Sequence, residues 1–524
     1  MMKDLPGTKN NKTKAMRDKI SYLLFTVTLA ILLLSCNSGS EQNPERKVEG
    51  GVIAGFVKEG VNVFMGVPFA APPVGELRWK EPQPVIPWEG VRQCVKPPAS
   101  AMQARPLPFM MWSKEFMAPE EPLSEDCLYL NIWTASRNKK DRLPVIVWIH
   151  GGGFTGGSGT VPLYDGTEMA KKGVVFVTIN YRLGVFGFLA HPWLSAESTR
   201  KVSGNWAILD QIESLKWINK NIAAFGGDPG NVTIAGQSAG SFSVNALMVS
   251  QLARGLFHRA IGQSGGMFMR EGLVNNLKAG EDAGVKYVER TRAKSLGELR
   301  QIPADTLIRI ASRWGILTDS VVVVPAPDAF GSGTQNDVPL ISGWNADDGV
   351  SFGPSQKAEA YVSNAKRVYG DKAEAYLEFF PGKTDEEAAA SQKIFSQLFF
   401  GYHNYTWAKM QSKTGKNKAW LYYFTHVPPG EPNYGAFHSA EFGYALNTLK
   451  LWNRPFTKTD FDLSEAMSTY WVNFARTGDP NGAGLPVWPA FDSAKPELMI
   501  FGDIPAKGEV PYLKQIEFMG TLTR

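Results

Sequence analysis

Three short apolar runs and one helix-like segment between them constrain the fold of this 524-residue chain most strongly. Residues 143–150 (LPVIVWIH) and 174–180 (VVFVTIN) are rich in β-branched side chains and show no polar alternation. Such runs are typical of strands buried on both faces of a parallel sheet. Residues 205–224 place apolar side chains at helical spacing, and 231–235 (NVTIA) form a third short run. This succession predicts parallel βαβ units.

The alternation continues to the C-terminal end, with an apolar run at residues 419–427 and a helix-like stretch at 464–475. The 52 glycines and 34 prolines suit a loop-rich α/β protein, and the 44% of hydrophobic residues can fill a large core. We find no internal repeat after residue 48. The sequence therefore predicts one α/β domain over residues 49–524, with a large, mostly parallel central sheet flanked by helices.

A basic N-terminal segment accounts for most of the net charge of +5. The first nineteen residues carry six cations against Asp4 and Asp18, which is +4 of that total. No basic stripe with interleaved aromatic residues is left in the remainder, and such a stripe is the electrostatic footprint of a nucleic-acid-binding protein. We therefore expect no nucleic-acid partner.

An uncharged apolar run follows at residues 21–34, and Ser35 and Cys36 come directly after it. This layout is typical of a signal peptide, and the run is shorter than the roughly 20 residues of a transmembrane span. Residues 33–36 (LLSC) resemble the lipobox of bacterial lipoproteins, which implies cleavage before Cys36 and its acylation. The alternative is an ordinary cleaved signal peptide with an incidental cysteine. We expect a signal peptide at residues 1–35, a polar tether at 36–48, and a lipid-anchored protein of the cell envelope, on the periplasmic or outer surface of a bacterium.

The two remaining cysteines are Cys94 and Cys127. An exported chain meets an oxidising compartment, where such a pair is expected to form a disulfide. The six histidines show no H-x-x-x-H spacing, and no C-x-x-C pair occurs. The sequence predicts neither a metal site nor another cofactor.

Residues 236–240 (GQSAG) match G-x-S-x-G, the pattern of a strained strand-to-helix turn that projects a nucleophilic serine. Ser238 follows the apolar run NVTIA and precedes a helix-compatible stretch, which is the context this turn requires. A second match at residues 262–266 (GQSGG) continues with glycines that do not start a helix. Ser238 is therefore the candidate nucleophile, and Ser264 is expected in a turn near the site as support.

Three consecutive glycines in residues 150–154 (HGGGF) follow directly on the run at 143–149. Without a Cβ, their backbone N–H groups can approach a substrate closely and stabilise an oxyanion. A merely flexible loop explains the glycines but not their position after a central strand and upstream of Ser238. We expect an oxyanion hole there, with His150 in a structural role.

Residues 124–133 (SEDCLYLNIW) resemble the second signature of the type-B carboxylesterases, the family that contains the cholinesterases and bacterial para-nitrobenzyl esterases. Residues 180–184 (NYRLG), 225–229 (FGGDP) and 477–481 (TGDPN) are similar to further motifs of that family. The resemblance covers nearly all of the chain after its N-terminal segment. It implies an α/β-hydrolase fold and a catalytic triad of serine, acid and histidine in that chain order.

Carried over residue by residue, the resemblance implies Ser238 as nucleophile, Asp348 as acid and His438 as base. The acid lies in residues 343–349 (GWNADDG), where the family usually has Asp-Glu-Gly, and the base lies in 435–441 (GAFHSAE).

The resemblance also implies backbone donors for the oxyanion at Gly152, Gly153 and Ala239. It matches Cys94 and Cys127 to the first disulfide of the family.

These residues predict hydrolysis of small carboxylic esters through an acyl-enzyme. One alternative is a specialised esterase that removes acyl or feruloyl groups from polysaccharides, which shares every catalytic residue. The other is a catalytically inactive adhesion protein, which would be expected to lose the serine or the histidine. The acyl group, the alcohol and the oligomeric state stay open.

Overall fold

A twisted sheet of eleven strands runs through the described part of the chain, in the order β18-β17-β16-β15-β12-β11-β9-β10-β8-β4-β3. In this computed structural model, residues 43–269, 275–349 and 355–522 are described, together with Met1 and Met16. The described strands are β1 (Glu45–Val48), β2 (Gly51–Ala54), β3 (Phe56–Lys58), β4 (Val61–Pro68), β5 (Val91–Gln93), β6 (Ser100–Ala101), β7 (Leu123–Ser124), β8 (Tyr129–Thr134), β9 (Leu143–Ile149), β10 (Val175–Ile179), β11 (Gly227–Gln237), β12 (Arg259–Gln263), β13 (Asn275–Asn276), β14 (Leu317–Thr318), β15 (Leu340–Asn345), β16 (Ala419–Phe424), β17 (Glu497–Phe501) and β18 (Pro505–Glu509).

The centre of this sheet is parallel, from β10 through β9, β11, β12, β15 and β16 to β17. Strands β8, β4 and β3 at one edge and β18 at the other pair in the antiparallel direction. The carboxyl ends of parallel strands meet at one edge of a sheet, and loops after β9, β11 and β15 therefore lie together.

Helices connect these strands and cover the sheet. They are α1 (Thr167–Lys171), α2 (Gly184–Phe188), α3 (Pro192–Glu197), α4 (Trp206–Asn221), α5 (Ala239–Val249), α6 (Leu277–Thr291), α7 (Leu296–Gln301), α8 (Ala304–Arg309), α9 (Ala326–Ser332), α10 (Ala358–Tyr369), α11 (Ala373–Phe379), α12 (Asp385–Thr414), α13 (Ala440–Ala445), α14 (Lys458–Thr477) and α15 (Leu513–Leu522). No helix of the described residues is long and apolar enough to cross a membrane.

The predicted βαβ unit is present. Strands β9 and β10 cover the two predicted apolar runs, and α4 covers the predicted crossover helix. Strand β11 differs, because it begins at Gly227 rather than at residue 231, and its pairing with β9 shifts register between Gly227 and Val232. A register shift accommodates glycine and proline residues at the start of a strand, which the sequence pattern treats as a break.

The expected tether ends earlier than residue 48. Strand β1 pairs with β2 in an antiparallel register, and its last residue, Val48, is buried. The polar composition of this segment is compatible with an edge strand whose residues before Val48 are exposed or half-buried. Apart from Met1 and Met16, the predicted signal peptide lies outside the described residues, and so does Cys36.

Two ion pairs, Arg182–Asp210 and Arg78–Glu125, join segments that are distant in the chain. Arg182 and Asp210 are both buried and form a bidentate pair with N–O distances of 2.7 and 2.8 Å. Arg78 donates to Glu125 at 2.7 Å and to the carbonyl oxygens of Arg300 and Ile302. Breaking such a pair leaves a buried charge without compensation, at a cost of about 3–5 kcal/mol.

The predicted disulfide between Cys94 and Cys127 is wrong for this structure, in which both residues are buried free thiols. The two sulfur atoms have different surroundings. Cys94 Sγ lies 3.8 Å from the carbonyl oxygen of Gly66, whereas Cys127 lines a small cavity together with Ala101. Burial raises the pKa of the Cys94 thiol to about 11 and also raises the pKa of Cys127, so the reactive thiolate is disfavoured at both.

Candidate active site

Ser238 occupies the sharp turn between β11 and α5, with φ 55° and ψ −123°. A non-glycine residue adopts a positive φ only when the surrounding structure imposes it, and such strain is common at active sites. Its neighbour Gly240 packs so closely on the end of β9 that a Cβ there would lie 2.0 Å from the carbonyl oxygen of Ile149. The pattern G-x-S-x-G thus places a strained serine at the carboxyl end of the central strands.

The loop after β9 presents backbone N–H groups beside Ser238. Gly152 and Gly153 are exposed and line the same cavity as Ser238. Gly152 has φ +106°, and a Cβ on it would lie 2.1 Å from the carbonyl oxygen of Gly156, so no larger residue fits this turn. Ala239 is the first residue of α5, where backbone N–H groups have no partner within the helix. Two of the three expected oxyanion donors, Gly152 and Gly153, therefore line the cavity, and the third, Ala239, directly follows Ser238 in the chain.

His150 begins this loop and is buried, in agreement with the expected structural role. Its ring stacks on Tyr181 with centroids 4.3 Å apart, and Nδ1 lies 2.8 Å from the carbonyl oxygen of Gly151. Burial lowers the pKa of His150 to about 4, so the ring is neutral near pH 7.

Asp348 and His438 are in direct contact. Asp348 Oδ1 lies 2.6 Å from His438 Nδ1, and the carboxylate is fully buried. Its Oδ2 accepts hydrogen bonds from Ser264 Oγ at 2.6 Å and from the backbone N–H of Asn345 at 3.0 Å. A carboxylate so held fixes the orientation of the imidazole and stabilises its positive charge. Ser264 lies next to the site, as expected.

The neighbouring carboxylate, Asp347, points elsewhere. It accepts a hydrogen bond from the backbone N–H of Ala436 at 2.9 Å and pairs with Lys393 at 2.5 Å. Asp347 thus contacts Ala436 in the loop that carries His438, whereas Asp348 bonds to the imidazole ring of His438 itself.

The other ring nitrogen of His438, Nε2, lies 3.2 Å from the side-chain nitrogen of Gln237, the residue before Ser238. The ring stacks on Phe400, with centroids 4.6 Å apart, and packs edge-on against Trp112 at 6.4 Å. These contacts direct Nε2 toward the turn that carries Ser238. A neutral imidazole with Nδ1 bonded to a carboxylate has Nε2 available as a base.

A cavity of about 730 Å³ contains both Ser238 and His438 in its lining. Its walls are mainly apolar and include six aromatic side chains besides His438: Phe109, Trp112, Phe116, Tyr164, Phe400 and Phe442. Arg105 is the one Arg, Lys, Asp or Glu among the described residues of the lining, and it pairs with Glu120 and Glu121 at 3.7 and 3.3 Å. A mainly apolar lining with few polar groups is typical of small-molecule binding sites.

Glu441 follows His438 by three residues, is fully buried and has no role predicted from the sequence. It accepts hydrogen bonds from Asn345 at 2.6 Å and from Gln263 at 3.1 Å. Burial, followed by the nearby charge of Asp348, raises the pKa of Glu441 to about 7. The available signal was a single acidic residue inside the apolar segment of α13.

No group of three or more His, Cys, Asp or Glu side chains that could hold a metal ion occurs among residues 43–269, 275–349 and 355–522. A strained serine, a histidine paired with a carboxylate and a loop of backbone donors are the parts of a serine acyl-transfer site on a mostly parallel sheet.

Comparisons with known proteins agree with a serine enzyme that carries out acyl transfer. The sequence model of the Carboxylesterase family matches residues 42–519. The chain is 36% identical over 488 residues to fumonisin B1 esterase from Sphingopyxis macrogoltabida, covering 88% of this chain and 87% of the relative. It is 32% identical over 478 residues to para-nitrobenzyl esterase from Bacillus subtilis, covering 86% and 93%. A solved structure of a PNB esterase superposes with a TM-score of 0.79 at 28% identity, over 92% of this chain and all of that chain.

The chain belongs to the carboxylesterase family. Its fold is that of the α/β-hydrolases, as expected. The protein is a serine carboxylesterase that hydrolyses carboxylic esters, and these comparisons do not support the alternative of a catalytically inactive adhesion protein.

Proposed function

We propose that Ser238, His438 and Asp348 form the catalytic triad and that an acyl-enzyme is the intermediate. His438 Nε2 takes the hydroxyl proton while Ser238 Oγ attacks the ester carbonyl, and Asp348 stabilises the imidazolium. The proton then passes to the leaving alcohol. Water activated by His438 attacks the acyl-enzyme, which releases the acid and restores the serine.

The observation that carries this proposal is the 2.6 Å contact between Asp348 and His438, whose ring borders the cavity that also contains Ser238. The backbone N–H groups of Gly152, Gly153 and Ala239 stabilise the tetrahedral oxyanion. Removing one such donor from a serine hydrolase costs about 10²–10³ in kcat, so the three together supply a large part of the rate enhancement.

The test compares two serines that occupy similar sequence motifs. Ser238→Ala should abolish hydrolysis of p-nitrophenyl butyrate and covalent labelling by an organophosphate, with no change in the temperature of unfolding. Ser264→Ala is the matched control and should retain labelling. Labelling that persists in Ser238→Ala, or that maps to Ser264, would overturn the assignment.

For the substrate, we propose an uncharged ester with an apolar acyl or alkyl group. The supporting observation is the lining of the 730 Å³ cavity, whose exposed cation, Arg105, is already paired with two glutamates. Apolar surface contributes about 25 cal/mol per Å² on burial, and a longer chain should therefore bind more tightly until the cavity is filled. The relatives are named for different esters, including fumonisin B1 and para-nitrobenzyl esters, so their names do not select one for this chain.

A second candidate is an esterase that releases aromatic acids such as ferulate from polysaccharides. The aromatic walls favour it, because aromatic pairs contribute about 0.5–1.5 kcal/mol beyond their buried area. Hydrolysis of p-nitrophenyl esters of increasing chain length, beside acetylated and feruloylated sugars, separates the candidates. A kcat/KM that is highest for feruloylated sugars selects the second, and one that rises with alkyl length selects the first.

We further propose that the protein is exported and anchored through a lipid on Cys36. The support is the sequence alone: a basic segment, an apolar run and LLSC. Cys36→Ser should move the protein from the membrane fraction to the soluble fraction and abolish incorporation of labelled fatty acid. Cys94→Ser is the control and should stay membrane-bound. A wild-type protein that is soluble after export would refute the anchor.

A further inference from the structure

The side chain of Gln103 lies between two loops of the active site. It is 3% exposed and belongs to the segment that follows β6 at the rim of the cavity. Its amide bonds to both backbone groups of Gly157: Gly157 N–H donates to Oε1 at 2.9 Å, and Nε2 donates to the Gly157 carbonyl at 2.9 Å. Nε2 also donates to the carbonyl of Ala101 at 3.0 Å. All three hydrogen bonds have ordinary donor–acceptor distances, and together they use both the oxygen and the nitrogen of the amide.

Gly157 ends the turn that presents the oxyanion donors. The carbonyl of Gly152 accepts hydrogen bonds from the N–H groups of Thr155 and Gly156 at 3.1 and 3.0 Å, which closes the turn. Gly157 then packs against its start, where a Cβ on it would lie 2.5 Å from His150 Nδ1. The position of Gly157 therefore determines the path of the chain through Gly152 and Gly153.

This turn needs contacts from other segments to hold one conformation, because its glycines have few backbone restrictions of their own. Gly152, Gly153 and Gly157 have φ values of +106°, +60° and +112°. Glycine has more backbone freedom to lose than any other residue, and fixing one backbone residue costs about 1–2 kcal/mol. Oxyanion donors act through preorganisation, so their alignment before the reaction sets the stabilisation of the transition state.

We propose that Gln103 is a positioning residue for the oxyanion hole, because its amide clamps Gly157 and so holds the N–H groups of Gly152 and Gly153 toward the oxyanion. Gln103 does not exchange a proton or form a bond with the substrate. The inference rests on the proposed roles of Gly152 and Gly153.

Replacement by methionine keeps the length of the side chain and removes its hydrogen bonds. Gln103→Met should lower kcat for p-nitrophenyl butyrate by about 10- to 100-fold, below the 10²–10³ expected for a donor that is lost outright. KM should change by less than about threefold, since ground-state contacts are kept. The inhibition constant of an alkyl trifluoromethyl ketone, which forms a tetrahedral oxyanion on Ser238, should rise by the same factor as kcat/KM falls.

Gln103→Glu provides a readout that a packing role would not change. The carboxylate still accepts from Gly157 N–H but repels the Gly157 carbonyl, whereas its protonated form can donate to that carbonyl. The kcat of Gln103→Glu relative to wild type should therefore increase as the pH falls.

The matched control is Gln411, a buried glutamine on α12 that is not part of the cavity lining and donates to Asp337 Oδ1 at 2.7 Å and to the Val338 carbonyl at 3.3 Å. Gln411→Met should lower the temperature of unfolding and leave kcat within about twofold. Equal kcat losses in Gln103→Met and Gln411→Met, a kcat of Gln103→Met within threefold of wild type, or a pH-independent ratio for Gln103→Glu would overturn the proposal. A wild-type enzyme that hydrolyses the ester but binds the trifluoromethyl ketone no better than the non-fluorinated ketone would overturn the oxyanion assignment itself.

Discussion

The two adjacent carboxylates at the end of β15 allow a test of the triad at single-residue resolution. Asp348 is fully buried and accepts three hydrogen bonds, from His438, Ser264 and the backbone of Asn345. In Asp348→Asn, the neutral amide no longer selects the Nδ1–H tautomer of His438 and no longer stabilises the positive charge of the imidazolium. We expect kcat to fall by up to about 10⁴-fold, which is about 5 kcal/mol in the activation barrier.

Asp347 makes a matched control in the same loop. Its partner Lys393 has a side chain that is 69% exposed, and a salt bridge with such a partner contributes about 0–1 kcal/mol. In Asp347→Asn, the amide oxygen can still accept from the N–H of Ala436, so the loop is kept. We expect kcat to change by less than about threefold.

Steady-state hydrolysis of p-nitrophenyl butyrate, with the temperature of unfolding measured for each variant, compares the two changes. Losses of equal size would show that Asp348 has no special relation to His438. A larger loss in Asp347→Asn would place the catalytic acid one residue earlier.

Three further predictions follow from buried groups near the site and the sheet. Ser264→Ala removes a 2.6 Å hydrogen bond to Asp348 and should lower kcat by about tenfold without loss of labelling; an unchanged kcat would contradict it. The pKa of Glu441 is raised from 4.5 to about 7 in the folded protein, so the folded state holds this proton more tightly than the unfolded chain, and the free energy of unfolding should fall by roughly 3 kcal/mol as the pH rises from 4.5 to 7. In urea unfolding, Glu441→Gln should lose less stability than wild type over that interval. Equal pH dependence of the unfolding free energy in the two proteins would refute this. Cys94 and Cys127 should not react with a thiol reagent in the native enzyme and should yield two thiols after unfolding without reductant, whereas no thiol would show a disulfide.

Features that depend on neighbouring residues in the chain could be predicted from the sequence. The strands β9 and β10 could be predicted from their apolar runs, because a strand buried on both faces is made almost entirely of apolar residues, and α4 could be predicted from its helical spacing. The strained turn at Ser238 is equally local, since Gly240 is required by the approach of the chain to β9. Resemblance to a family added Asp348 as the acid and His438 as the base.

The sequence by itself thus determined the mostly parallel sheet, the candidate nucleophile and the glycine loop. Only the tertiary structure showed that Asp348 rather than Asp347 contacts His438, that Gln103 bonds to Gly157, and that Cys94 and Cys127 are buried free thiols. The two contacts of Gln103 and Asp348 join residues 54 and 90 positions apart in the chain, and no periodicity in a local window reports on them. Their existence depends on how the loops at the carboxyl ends of the strands pack together, which is a property of the folded sheet.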